Sequence, residues 1–297
     1  DERLSDELRL RCLSSAAGLA LARGDPAMAE LADRAIALAA GRPSFALLGA
    51  LVVRSGYADT LAYAYGDPSE RENAEAYLAE AFRIAEGSDP SWTAVCLFWR
   101  GFHWLLTGNL AAALEDIRAI ERQDVFEDWE FFAVANRYTL VSLHNLLGDN
   151  DEALRLARAN YDRAYRGGPY WHTPLSLGLA LAGAGRSDEA LGYVREAFDL
   201  ALNTGIPLVQ GECLVVAAAV AALEGEYERA SRLLAAALNA EPGSLFAVWT
   251  PSGWPLYRHY LRKVRDALGG ERARELRDEG KAMSLDQAVA YALDGLK

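Results

Sequence analysis

Cysteine is scarce in this chain: Cys12, Cys96 and Cys213 lie far apart in apolar stretches of sequence. That spacing excludes a disulfide framework and points to a reducing cytoplasm. The four histidines, His103, His144, His172 and His259, are scattered, and none forms a metal-ligand spacing with a cysteine or carboxylate on one helix face. His103 and His144 stand nearly one repeat apart, and packed or hydrogen-bonded imidazoles explain them better than a metal site. No phosphate loop is present, because Gly183-Ala-Gly185 lacks the lysine and serine that would follow it. Neither ATP binding nor any other cofactor is expected, and no nucleophile–base pair stands at a recognisable spacing. The longest apolar run, Cys213 to Leu223, falls short of the roughly 18–20 residues a bilayer span needs. No cationic start with an apolar stretch behind it suggests a signal peptide. Basic residues number 30 against 42 acidic ones, a net charge of −12, which argues against a nucleic-acid surface. The pairs Glu115-Asp116, Asp188-Glu189 and Asp278-Glu279 read as solvated helix faces. The chain opens on Asp1, not methionine, and reads as a segment of something larger.

What is abundant is helix-forming material. Alanine, leucine, arginine and glutamate dominate, 52% of residues are apolar, and prolines sit mostly at segment edges. Gly24, Gly66, Gly108, Gly148, Gly185 and Gly225 recur at spacings of 42, 42, 40, 37 and 40 residues. Five positions after all but one of them comes an alanine: Ala29, Ala113, Ala153, Ala190 and Ala230. The exception carries Arg71, with Ala74 three residues on. Seven positions before the glycines stand Ala17, Asp59, Gly101, Val141, Gly178 and Ala218, small in four of six cases. A period near 40 with one turn per unit predicts stacked helical hairpins, an all-α solenoid of about six units. The glycine permits the turn, and the small residues let two helices approach closely. Asp25-Pro26 and Asp67-Pro68 place a capping carboxylate before a proline suited to a first helical turn.

The pattern small residue, turn glycine, alanine resembles the tetratricopeptide repeat, here lengthened, over residues 1 to about 240. The rhythm breaks after Glu241, where proline, glycine, Trp249 and Trp254 interrupt it. Helices are then expected over about 256–268 and 271–280, with a last one opened by a capping box at Ser284-Leu-Asp-Gln287. The array is placed at 1–243 and a divergent helical cap at 244–297. The tail, Tyr257-Arg-His-Tyr-Leu-Arg-Lys-Val-Arg and then Glu279 to Leu293, resembles the end of the sensor region in large bacterial ATP-binding regulators. These include LuxR-like and maltose-regulon-type activators, antibiotic-regulatory activators and chains fused to nucleotide cyclases. The resemblance implies ATPase and output modules elsewhere in the parent chain as partners, and no direct DNA contact by these residues.

Aromatic residues crowd the middle of the chain: Trp92, Phe98, Trp99, Phe102 and Trp104, then Phe126, Trp129, Phe131, Phe132 and Tyr138, then Tyr165, Tyr170 and Trp171. Singly, each ring is a gap filler; as a set they suggest a lined groove. Counting back from the glycines in the tetratricopeptide register places Phe98, Phe102, Tyr138, Ser142, Asn145, His172, Leu175 and Glu212 on the inner wall. Trp249 and Trp254 either close that groove or, more simply, pack the cap. Two functions fit: a non-enzymatic sensor binding a small-molecule inducer or a peptide or protein partner on a concave face, or a constitutive protein–protein scaffold without a small ligand. A deep ring-lined site favours the first and a long shallow charged groove the second.

Overall fold

The computed structural model describes residues 5–22, 25–63, 66–123, 130–163, 170–205, 207–240 and 253–295. Gly24, Phe126, Trp129, Tyr165 and Trp249, and the side chains of Phe131 and Trp254, lie outside what is described. The described residues are predominantly helical, with no strand among them. In chain order the helices are α1 (Asp6–Ala22), α2 (Ala27–Ala39), α3 (Phe45–Tyr63), α4 (Ser69–Ala85), α5 (Pro90–Thr107) and α6 (Leu110–Gln123). They continue with α7 (Glu130–Leu147), α8 (Asn150–Tyr161), α9 (His172–Gly183), α10 (Ser187–Thr204), α11 (Pro207–Leu223) and α12 (Tyr227–Ala237). The last three are α13 (Gly253–Leu268), α14 (Gly270–Lys281) and α15 (Leu285–Asp294). Among the described residues α1–α6 form one compact unit and α7–α15 a second. The helices expected as a cap therefore share the second unit with three hairpins.

In the first unit α1 packs on α2, α3 on α4 and α5 on α6, and α3 also contacts α1 and α5. In the second, α7 packs on α8, α9 on α10 and α11 on α12, while α9 also contacts α7 and α11. The turns are built as their glycines require. Gly66, Gly108, Gly148, Gly185 and Gly225 all have φ between 73° and 83°, a region that side-chain-bearing residues avoid. The amide after the glycine then reaches back into the last helical turn: Asn109 to the Trp104 carbonyl, Asp149 to His144, Arg186 to Leu181 and Glu226 to Ala221, each at 2.8–2.9 Å. Asp25 Oδ1 accepts from the Ala27 amide at 2.9 Å and Asp67 Oδ1 from the Ser69 amide at 3.0 Å, capping α2 and α4. The capping box of α15 is present, Ser284 Oγ and Gln287 Oε1 each accepting the other residue's amide.

The small residues meet where the spacing placed them. Ala74, Ala113, Ala153, Ala190 and Ala230 are fully buried. A Cβ on Gly178 would lie 3.2 Å from the Ala190 carbonyl and 2.7 Å from Val194 Cγ2; one on Gly101 would lie 2.8 Å from Ile117 Cδ1. The first hairpin departs by one position, with Met28 buried and Ala29 half-exposed. Two further expectations are corrected. Asp116 is not solvated: it is buried and bound by Arg100 at 2.7 and 2.8 Å and by the Trp104 indole at 3.2 Å. Cys12 is exposed, whereas Cys96 and Cys213 are buried.

Helix α3 is long and apolar enough by composition to cross a membrane, although Arg54, Ser55, Asp59 and Thr60 break its apolar run. It packs as a core helix instead, with Ser55, Asp59 and Thr60 among its buried residues. Asp59 Oδ1 lies 2.8 Å from His103 Nδ1 on α5, and Asp59 Oδ2 has no hydrogen-bond partner. Burial raises the Asp59 carboxyl above its usual range; His103 opposes this and Glu75 adds to it. In the unfolded chain Asp59 ionises at its ordinary value, so folding is progressively penalised as pH rises from there through the raised folded value. Asp59→Asn removes that penalty. Urea melts at pH 3.5 and pH 7 should show the variant gaining on the parent at the higher pH; a pH-independent difference would contradict a buried, raised carboxyl.

The C-terminal helix is tied down by two arginines. Arg229 Nη2 donates to the Ala292 carbonyl at 2.7 Å, and Arg195 Nη2 to that of Leu293 at 3.1 Å. These contacts bring side-chain donors to carbonyls in the last turn of α15, where helical partners run out.

Candidate functional site

The residues expected on one open wall are not on one. Phe98 and Phe102 belong to the first unit and are buried in α5, where Trp99 meets both edge-on at ring separations of 6.2 and 6.0 Å. The same indole fills the space a side chain on Gly56 of α3 would need. These rings are core. Leu175 is likewise fully buried.

In the second unit, four of the expected residues come together from the first helices of three hairpins. Tyr138 and Ser142 lie one turn apart on α7, His172 begins α9, and Glu212 sits in the second turn of α11. The Tyr138 and His172 rings are 4.9 Å apart and tilted by 45°. His172 Nε2 is 3.3 Å from Glu212 Oε2, which also accepts the Trp171 indole N–H at 3.0 Å. Trp171 covers the imidazole at a ring separation of 4.5 Å. Residue exposure is 1% at Tyr138, 0% at Ser142, 6% at His172 and 2% at Glu212, so the cluster is interior.

Tyr138 Oη, Ser142 Oγ, His172 Nδ1 and Glu212 Oε1 are all buried without a hydrogen-bond partner in the protein. Buried polar atoms are nearly always paired, and each orphan costs about 1–3 kcal/mol. Four such atoms share one cluster, and the Tyr138, Ser142 and Glu212 groups lie close to one another. Burial above all, and then the Glu212 charge, push the Tyr138 hydroxyl well above its ordinary value, so it remains a protonated donor at neutral pH. Burial and Glu212 push the Cys213 thiol up in the same way. Ser142 and Glu212 lie close enough to the Tyr138 hydroxyl for hydrogen bonding to bear on its acidity, short of full hydrogen-bond geometry.

Asn145, one turn beyond Ser142, has a different task. Its Nδ2 donates to the Leu179 carbonyl of α9 at 3.4 Å, and its Oδ1 accepts the Tyr260 hydroxyl of α13 at 3.3 Å. It joins three helices. His144 contributes its Nδ1 to Asp149 in the hairpin turn at 2.9 Å. Among the described residues no three His, Cys, Asp or Glu side chains gather as a metal would require. The sequence places Trp171 among the clustered rings and does not pair it with Glu212. The available signal was Glu212 itself, a lone carboxylate at the head of an apolar helix.

Chemically the cluster offers a carboxylate oxygen, two hydroxyls, an imidazole nitrogen and flanking aromatic faces. Comparison with known proteins adds no likeness: no family model, curated protein or solved structure matches the chain.

Proposed function

We propose that this chain is a tetratricopeptide-like helical-repeat sensor that binds, without turning it over, a small amine-bearing molecule at the Tyr138–Ser142–His172–Glu212 cluster. The observation that carries the reading is the set of four unpartnered buried polar atoms contributed by α7, α9 and α11. An ammonium group supplies what such a set lacks. It donates to Glu212 Oε1 and to hydroxyl oxygens while its carbon-bound faces lie against Tyr138, Trp171 and His172. The solenoid arrangement is supported by the packing of successive hairpins within each unit and by the recurrent glycine turns. A scaffold that carries a peptide needs an exposed groove, and burial of the inner-wall candidates favours the small-ligand reading over it.

Entry of a guest among α7, α9 and α11 requires those helices to shift, and a ligand that prefers the shifted packing draws the population towards it. In a cytoplasmic bacterial transcription regulator, such a shift would be passed to ATPase and output modules on the same chain. The test is thermal denaturation with putrescine, tyramine and choline, against ethanol and acetate as neutral and anionic controls. At least one amine should raise the melting midpoint of the parent. Tyr138→Phe and Ser142→Ala remove only orphan hydroxyls, so each should fold within about 1 kcal/mol of the parent or better, yet lose the amine response, as should Glu212→Gln. If no amine stabilises the parent, or if the three variants respond as it does, the site reading fails.

A further inference from the structure

The second unit holds a separate feature, independent of the cluster around Glu212. Helices α13 and α14, joined at Gly269, pack together and on α12, leaving a recess of about 650 Å³. Five arginines line it: Arg258, Arg262 and Arg265 from α13, and Arg274 and Arg277 from α14. The spacings of four and three residues put each set on a single helix face. Among the described residues no carboxylate lines the recess, although the chain as a whole carries a charge of −12. Its wall also includes Leu261, Val264 and Ala273.

Three carboxylates nearby are engaged elsewhere. Glu228 and Glu275 both bind Arg272, which does not line the recess, at 2.9 Å, and Glu279 binds Arg232 at 2.6 Å. Within the recess, the Nε–H of Arg277 is buried without an acceptor. Among the described residues neither Arg262 nor Arg274 forms an ion pair, and Arg265 meets only its exposed neighbour Asp266 at 3.4 Å. The accumulated charge is felt locally: besides burial, Arg262 and Lys263 hold the His259 imidazole below its usual value. Arg262 and Arg274 are exposed and Arg277 is half-buried, so the like charges around the recess offer a multiply charged anion several partners at once.

We propose that this recess binds the polyphosphate group of a small organic molecule. Guanidinium forks match phosphate oxygens in pairs, and several such forks together suit a multiply charged anion better than a single carboxylate. The volume lies within the range of small-molecule sites, and the apolar wall can take an organic portion. A nucleic-acid strand is disfavoured because Asp266, Glu271, Glu275 and Asp278 on the same two helices are exposed. The missing phosphate loop excludes one way of cradling phosphate with backbone amides; an arginine recess is another.

Isothermal calorimetry on the whole chain, in about 0.15 M salt without divalent cations, tests this with inorganic tripolyphosphate, ATP, sulfate and a short DNA duplex. Tripolyphosphate or ATP should bind saturably at one site, with sulfate much weaker. Tighter binding of ATP than of tripolyphosphate would assign the organic portion to the apolar wall; equal binding would assign recognition to the phosphates alone, and either result supports the proposal. Arg262→Ala and Arg274→Ala should each weaken binding by about tenfold or more with unchanged helicity and melting, whereas Arg272→Ala, outside the recess, should leave it unaltered. Three results would overturn the proposal: no saturable binding of either polyphosphate, binding indifferent to Arg262 and Arg274, or duplex DNA bound more tightly than tripolyphosphate.

Discussion

Tyr138→Ala should destabilise the second unit by about 3–5 kcal/mol, the usual loss when a large buried ring is deleted. Tyr138 is among the largest fully buried side chains described, and its ring lies against His172 from the next hairpin. The alanine would leave a void bounded by α7, α9 and α11, with Glu212 and His172 deprived of the ring that separates them from it. Read as an inner-wall residue, Tyr138 would have been dispensable to the fold, and the same holds for His172; burial reverses both expectations. Urea unfolding of Tyr138→Ala beside Tyr138→Phe separates ring from hydroxyl. Only the alanine variant should fall far below the parent. An alanine variant within about 1 kcal/mol of the parent would place the ring outside the core.

Ala190→Leu should cost about 1–3 kcal/mol, and Gly280→Val at least as much, because each forces bulk into a joint between two helices. Ala190 is fully buried on α10, and its carbonyl sits where Gly178 of α9 has no side chain to spare. Added methyl groups must push the hairpin open or distort Val194. Gly280 is tighter still: a Cβ there would run into the backbone carbonyl of Arg232 on α12 and lie 2.8 Å from Ala235 Cβ. A carbonyl inside a helix cannot move aside as a side-chain tip can. Melts of Ala190→Leu that superimpose on those of the parent would refute the close approach of α9 to α10.

The hairpins were legible because their signals are local. A glycine at positive φ and an alanine five residues later are fixed by one turn and one helix pair, whatever packs around them. The capping carboxylates and the Ser284 box are local in the same way. The division between inner wall and core was not local. One residue of register turns a helix by about 100°, and the slip from Ala29 to Met28 shows that such errors occur even next to a well-placed turn. More decisively, α7 touches α8, α9 and α13, and α11 touches α9, α10, α12, α13 and α15. Helices surrounded in this way have little face left to serve as a wall. That α13 would lie against α7 could not be counted from a glycine, since the two are far apart in sequence. The arginine recess was half visible in the spacing of Arg258, Arg262 and Arg265, but its other wall on α14 depends on the tertiary turn at Gly269.

The indole of Trp171 has an optical consequence. Its N–H is held by Glu212 and its ring lies 4.5 Å from the His172 imidazole. Indole emission responds in wavelength to a neighbouring charge and in intensity to a nearby imidazole, above all a protonated one. Trp171, one of seven tryptophans in the chain, is therefore a native fluorophore seated at the cluster, whose colour and brightness respond to changes around Glu212 and His172 without any dye attached.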